Sequence, residues 1–158
     1  PKRFKSIVDG LNLIKDKYGY EIVYPIHPRS RKRSVEFNID LSKLRVIPPM
    51  RYIEFLSLER NAFAVITDSG GVQQEACIFH VPCITVRDNT EWPETVIIGA
   101  NTLAGADRYS LLGKFENLVF SSHRISWCNP FGNGKAGKYI GDIIIGYLES
   151  LSSCCYLF

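Results

Sequence analysis

Phe63-Ala64-Val65-Ile66-Thr67-Asp68-Ser69-Gly70-Gly71-Val72-Gln73-Gln74-Glu75 is the stretch from which the fold is read. A run rich in β-formers enters a Ser-Gly-Gly turn, and Val72, Ala76 and Phe79 then fall at helical spacing, so the segment predicts strand, tight loop and helix. Such a junction directs backbone N–H groups at whatever lies before the helix. With two glycines admitting close approach and the positive end of the helix dipole behind them, Ser69, Gly70 and Gly71 form a candidate phosphate cradle. Ser69 doubles as an N-cap candidate and a hydroxyl donor. Glu75, about a turn and a half into the helix, points back toward the loop, where a carboxylate can accept from two sugar hydroxyls. A Ser-Gly-Gly also serves as plain turn chemistry before a helix, and alone this run leaves both readings open.

Outward from this run, strands and helices alternate. Upstream, Phe4, Ile7, Val8, Leu11 and Ile14 mark an amphipathic helix up to about Tyr18, stopped by Gly19. Glu21 to Ile26 reads as a strand closed by Pro25 and Pro28, which leaves His27 at a strand's carboxyl end, where ligands of open α/β sheets bind. A structural hydrogen-bonding role for His27 stands beside that reading. A short helix over Arg29 to Phe37 and a strand from Leu44 to Ile47, ended by Pro48-Pro49, lead to a helix marked by Tyr52, Phe55, Leu56 and Leu58. Downstream, Val81-Pro82 breaks the chain before a strand from Cys83 to Val86. The loop Arg87-Asp88-Asn89-Thr90-Glu91-Trp92-Pro93-Glu94, with four formal charges and an aromatic, follows at a strand's carboxyl end. A short strand from Asn101 to Ala104 and a helix from Arg108 to about Phe120 come next. The turn cluster Asn129-Pro130-Phe131-Gly132-Asn133-Gly134 then precedes a helical pattern at Ile140, Ile143, Ile144, Tyr147, Leu148 and Leu151.

This alternation predicts a Rossmann-like three-layer α/β sandwich with a mainly parallel sheet, one domain over residues 1–151 and a tail over 152–158. In that topology the first strand is central and precedes the first helix. The chain starts at Pro1, directly in a helix, so the expectation is a piece of a longer protein that lacks this strand.

A length of 158 residues with 46% hydrophobic and 22% charged residues suits one globular core. A net charge of +3 gives no argument for nucleic acid, and the cluster Arg29, Arg31, Lys32, Arg33 reads as a solvated helix face. Five cysteines, Cys77, Cys83, Cys128, Cys154 and Cys155, are odd in number and lack a Cys-x-x-Cys pair, so neither a metal site nor a disulfide framework is expected, and reduced thiols in the cytoplasm are. No signal peptide opens the chain and no apolar run reaches the ~18 residues of a membrane span, so no membrane partner is expected.

Four motifs in order, Tyr24-Pro25-Ile26-His27-Pro28, Thr67 to Glu75, Arg87-Asp88-Asn89-Thr90-Glu91 and Asn129 to Gly134, give a chain that resembles the carboxy-terminal half of the non-hydrolysing UDP-N-acetylglucosamine 2-epimerases. The resemblance runs from Pro1 to about Leu151. It implies one half of a GT-B enzyme, whose two Rossmann-like domains face a cleft, with this half supplying the UDP end. On that reading Ser69, Gly70 and Gly71 hold the diphosphate, Glu75 the ribose hydroxyls, Phe55 packs on uracil, and the main chain near Met50 and Arg51 meets the base edge. His27 falls where some members contact a second UDP-N-acetylglucosamine bound as activator.

The reaction implied is elimination of UDP to 2-acetamidoglucal and its return to the opposite face of C2. The acidic proton-transfer groups belong to the amino-terminal domain and a His-Arg pair to the segment before Pro1, so no catalytic residue is expected in this chain. The resemblance also implies no cofactor, and a homodimer when full length, with the amino-terminal domain as the missing partner. Two departures stand out: Gln74 where the family usually has Glu, and Trp92 where many members have an arginine near the diphosphate, a forked charge that tryptophan cannot supply. The rival readings are the nucleotide-binding half of a GT-B glycosyltransferase and a stand-alone nucleotide-binding module.

Overall fold

Helix α1 (Lys2–Tyr18) buries Val8, Leu11 and Ile14 at spacings of three, and it ends where Gly19 takes φ 72°, a left-handed conformation that needs no Cβ. It opens the computed structural model, which describes residues 1–121 and 126–153. After it come β1 (Val23–Pro25), α2 (Pro28–Glu36), β2 (Arg45–Ile47), α3 (Tyr52–Arg60), β3 (Val65–Thr67), α4 (Gly70–Ile78), β4 (Cys83–Thr85), α5 (Pro93–Ile97), β5 (Asn101–Leu103), α6 (Arg108–Phe120) and α7 (Ala136–Ser153). The order is the one the sequence predicts, with shorter strands and one addition. Helix α5 occupies the end of what reads as loop, started by Pro93 at its first turn.

All pairings are parallel: β1 with β2, β3 with β4, and β4 with β5. They make two sheets, β1-β2 and β3-β4-β5, and not the one sheet expected. Among the described residues, strands β1, β2, β3 and β5 each pair with one neighbour, and β4 with two.

Strand β4 shows why the sandwich has three layers. Side chains alternate across a strand, and here both faces are covered: Ile84 and Val86 join a core with Val8, Leu11, Ile14, Leu111 and Phe115 of α1 and α6. Cys83 and Thr85, equally buried, turn to the opposite side. There α4 buries Gln73, Ala76 and Cys77. The apolar spacing of Val72, Ala76 and Phe79 therefore marks the wrong stripe. Val72 and Phe79 are only half-buried, while polar Gln73 is fully enclosed. Burial of the mostly aliphatic core at about 25 cal/mol per Å² of apolar surface is the main driving force for this arrangement.

The chain divides into two compact units, Pro1–Cys128 and a second from Asn129 onward. The stretch 1–151 expected as one domain spans both units, which part at the dense turn cluster. In the second unit the Asn129 side chain organises that cluster, its Oδ1 accepting from the Phe131 N–H at 2.9 Å and its Nδ2 donating to the Gly132 carbonyl at 3.2 Å, before α7 begins. Beyond Ser153 the expected tail, with Cys154 and Cys155, lies outside the described residues. No helix among the described residues is long and apolar enough to cross a membrane.

Candidate functional site

In parallel sheets the loops that leave the strands' carboxyl ends gather on one side. The loop after β3 and the loop after β4 meet there. Asp68 and Ser69 lead into α4, with the Ser69 N–H held by Thr67 Oγ1 at 3.0 Å. Ser69 takes the N-cap position in extended conformation, but its hydroxyl makes no cap hydrogen bond and stays exposed. The first intrahelical bond runs from the Gln73 N–H to the Ser69 carbonyl at 3.2 Å. The N–H groups of Gly70, Gly71 and Val72 precede it and face out of the helix end, as anion binding requires.

The glycines differ in what they permit. A Cβ on Gly70 would fall 2.2 Å from Glu91 Oε1 and 3.1 Å from the Trp92 indole nitrogen, so the loop after β4 closes directly over this residue. A Cβ on Gly71 would meet nothing within 4 Å, and no protein contact asks for glycine there. Arg87 Nη1 pairs with Glu91 Oε2 at 2.9 Å and lies 3.5 Å from the Asp68 carbonyl, which sets one cation beside the helix N-terminus.

A buried neutral network fixes the β4 loop from beneath. Gln73 Oε1 accepts from Thr90 Oγ1 at 2.5 Å and from Asn101 Nδ2 at 3.2 Å. Asn101 Nδ2 also reaches Thr95 Oγ1 at 3.2 Å, while its Oδ1 accepts from Thr85 Oγ1 at 2.8 Å. Thr90 Oγ1 in turn accepts from the Trp92 N–H at 3.0 Å. Polar residues at core positions of α4, β4 and β5 were a signal for this network that periodicity alone does not read.

Glu75 is half-buried on α4 and accepts from the Tyr52 hydroxyl at 2.9 Å, a bond that raises the phenol above its usual range. Behind it stands Glu59 of α3, only 3% exposed. Burial first, and then the charge of Glu75 and a hydrogen bond with it, push the Glu59 carboxyl up to about 7. Neither Tyr52, read from sequence as a marker of its helix, nor Glu59 figures among the site residues expected from sequence. The available signal was spacing, since Tyr52, Phe55 and Glu59 fall on one helical face. Phe55 is half-buried on that face, as is Met50 before the helix.

Arg51 caps α3 in extended conformation. Its N–H donates to Glu54 Oε2 at 3.3 Å and its carbonyl accepts from the Phe55 N–H at 2.9 Å, so both main-chain groups expected at a base edge already serve the helix start. His27 is exposed, and its Nδ1 accepts from the Arg29 N–H at 3.2 Å as the N-cap of α2. Tyr24 at the end of β1 is raised by burial and then, after an opposing bond with Ser30, by the charge of Asp68, which places the ends of β1 and β3 near each other. Cys77 and Cys83 are free and buried and Cys128 is free and exposed. Burial, as the largest cause, pushes the Cys83 thiol up to about 12. Among the described residues no group of three or more His, Cys, Asp or Glu could hold a metal ion.

The sequence profile described as UDP-N-acetylglucosamine 2-epimerase matches residues 1–145. The chain belongs to the UDP-N-acetylglucosamine 2-epimerase family. It is 48% identical over 148 residues to the UDP-N-acetylglucosamine 2-epimerase of Methanocaldococcus jannaschii, covering 90% of this chain and 40% of that protein. To the UDP-2,3-diacetamido-2,3-dideoxy-D-glucuronate 2-epimerase of Pseudomonas aeruginosa it is 45% identical over 151 residues, covering 91% and 40%. The fold matches the crystal structure of the M. jannaschii epimerase in complex with UDP-GlcNAc and UDP, with a TM-score of 0.83 at 49% identity over 90% of this chain and 40% of that one. An S. aureus homologue solved with UDP gives a TM-score of 0.84 at 29% identity over 94% and 43%. The chain thus spans about 40% of the length of the epimerases it matches.

Proposed function

We propose that this chain is the UDP-binding half of a non-hydrolysing UDP-N-acetylglucosamine 2-epimerase that interconverts UDP-N-acetylglucosamine and UDP-N-acetylmannosamine. The observation that carries the reading is the β3-Ser69-Gly70-Gly71-α4 junction, with free-facing N–H groups at one end and Glu75 held by Tyr52 one and a half turns along. The N–H groups and the Ser69 hydroxyl receive the diphosphate, Glu75 the ribose hydroxyls, and Phe55 packs on the uracil, with the main chain at Met50 and Arg51 beside it. Arg87 supplies the positive charge. His27 touches a second nucleotide sugar.

In the reaction a base removes the C2 proton as the C1–O bond breaks, giving 2-acetamidoglucal and UDP. Readdition with protonation on the other face of C2 completes the epimerisation. This chain's contribution is to bind and stabilise the departing diphosphate, which lowers the barrier to both steps. The proton-transfer groups come from an amino-terminal domain, and the whole works as a cytoplasmic homodimer without cofactor or metal.

Calorimetry with UDP, beside an assay for UDP-N-acetylmannosamine, tests both parts. The chain is expected to bind UDP without turnover, and the chain joined to an amino-terminal domain of a relative to turn over without any acceptor. Turnover by the 158 residues alone would overturn the assignment of proton transfer to another domain. Absence of UDP binding would overturn the site.

A further inference from the structure

Glu59 has no ordinary explanation in the fold. A glutamate 3% exposed is expected to face a cation or several donors. Instead both Glu59 carboxyl oxygens are buried with no N–H or O–H donor reaching them among the described residues. The charged group that bears on Glu59 is itself a carboxyl, that of Glu75 on the adjoining helix α4. Two carboxyls satisfy each other only with a proton between them.

Among the described residues, the other titratable groups that feel the Glu59 charge are Tyr52 on its own helix and Cys83 on β4, with Cys77 of α4 acting on Cys83. None is a cation. The Tyr52 hydroxyl already donates to Glu75 Oε1.

We propose that Glu59 is a positioning residue for the nucleotide site: as a neutral carboxylic acid it donates its proton to Glu75 and, together with Tyr52, fixes the orientation in which Glu75 receives the sugar hydroxyls of a nucleoside diphosphate. This rests on the UDP reading of the site and adds to it a required protonation state. Burial and the Glu75 charge keep Glu59 protonated up to about pH 7. Above that, two facing carboxylates repel, Glu75 leaves its orientation, and nucleotide affinity falls.

The test is calorimetry of UDP-N-acetylglucosamine on the full chain as a function of pH. This ligand's diphosphate is esterified at both ends, so it lacks the terminal phosphate ionisation near pH 6 that would complicate UDP. Wild type is expected to lose about twentyfold in affinity between about pH 6.5 and 8.5, the limit for linkage to one proton. Glu59→Gln, whose amide is a permanent neutral donor, is expected to bind without that fall. Glu59→Leu is expected to bind about tenfold more weakly at the lower pH, for the loss of one hydrogen bond to a charged group. A ligand-free readout accompanies these: the infrared carbonyl band of a protonated glutamic acid, present in wild type near pH 6 and absent from Glu59→Gln. Parallel pH profiles for wild type and Glu59→Gln, unchanged affinity in Glu59→Leu, or no such band would each overturn the proposal. Failure of wild type to bind at any pH would instead strike the nucleotide reading on which it rests.

Discussion

Replacing Glu59 by leucine is expected to make the protein more stable, by an amount that depends on pH. In the folded chain the carboxyl holds its proton up to about 7, against 4.5 for an ordinary glutamate. Between those values the folded state binds more protons than the unfolded, so stability falls as pH rises and levels off above 7. At about 1.4 kcal/mol for each pH unit of that interval, the burden at pH 8 is about 3 kcal/mol, while at pH 4 both states are protonated and it vanishes. Leucine removes the charge and supplies apolar volume, as buried ionic groups replaced by hydrophobic ones often permit. Urea denaturation of wild type and Glu59→Leu at both pH values checks this. The variant's advantage should be larger at pH 8 by about 3 kcal/mol, and an advantage equal at the two pH values would refute the placement of an ionisable group in the α3–α4 interface.

Glu75→Ala is expected to weaken UDP binding by about 1.5 to 3 kcal/mol, the range for hydrogen bonds to a charged group, and to leave pyrophosphate binding little changed; competition titrations with both ligands distinguish the ribose from the phosphate. In Gly70→Ala the new methyl would meet Glu91 Oε1 at 2.2 Å, so the Arg87–Glu91 pair should be displaced with little loss of stability, since the pair is exposed, and UDP affinity measured by calorimetry should fall. Asn101→Ala removes the hub of the buried network and leaves Thr85 and Gln73 short of partners, which should cost about 1 to 3 kcal/mol in denaturant unfolding.

Much of this architecture is legible in the residues. Gly19, Pro25 and Pro48 punctuate the chain where elements stop and Pro28 where α2 starts, and the β3-loop-α4 junction follows from Thr67 to Gly71 because tight-turn chemistry is local. What escapes is what depends on partners distant in sequence. Gln73 acquires its partners only when Asn101 and Thr90 are brought to it by β4 and β5. The burial of Glu59 likewise depends on packing that its place in the sequence does not show. The five residues of α5 are too few for periodicity to register.

The network under the β4 loop separates two tasks that a loop usually has to combine. Gln73, Thr85, Thr90, Thr95 and Asn101 hold the backbone from below through neutral side chains. Arg87 and Glu91 point outward from the same segment, and Trp92 lies against Gly70. Because the anchors carry no charge, neither salt nor acidity disturbs where the loop runs. The outward positions can then be exchanged without the frame being rebuilt.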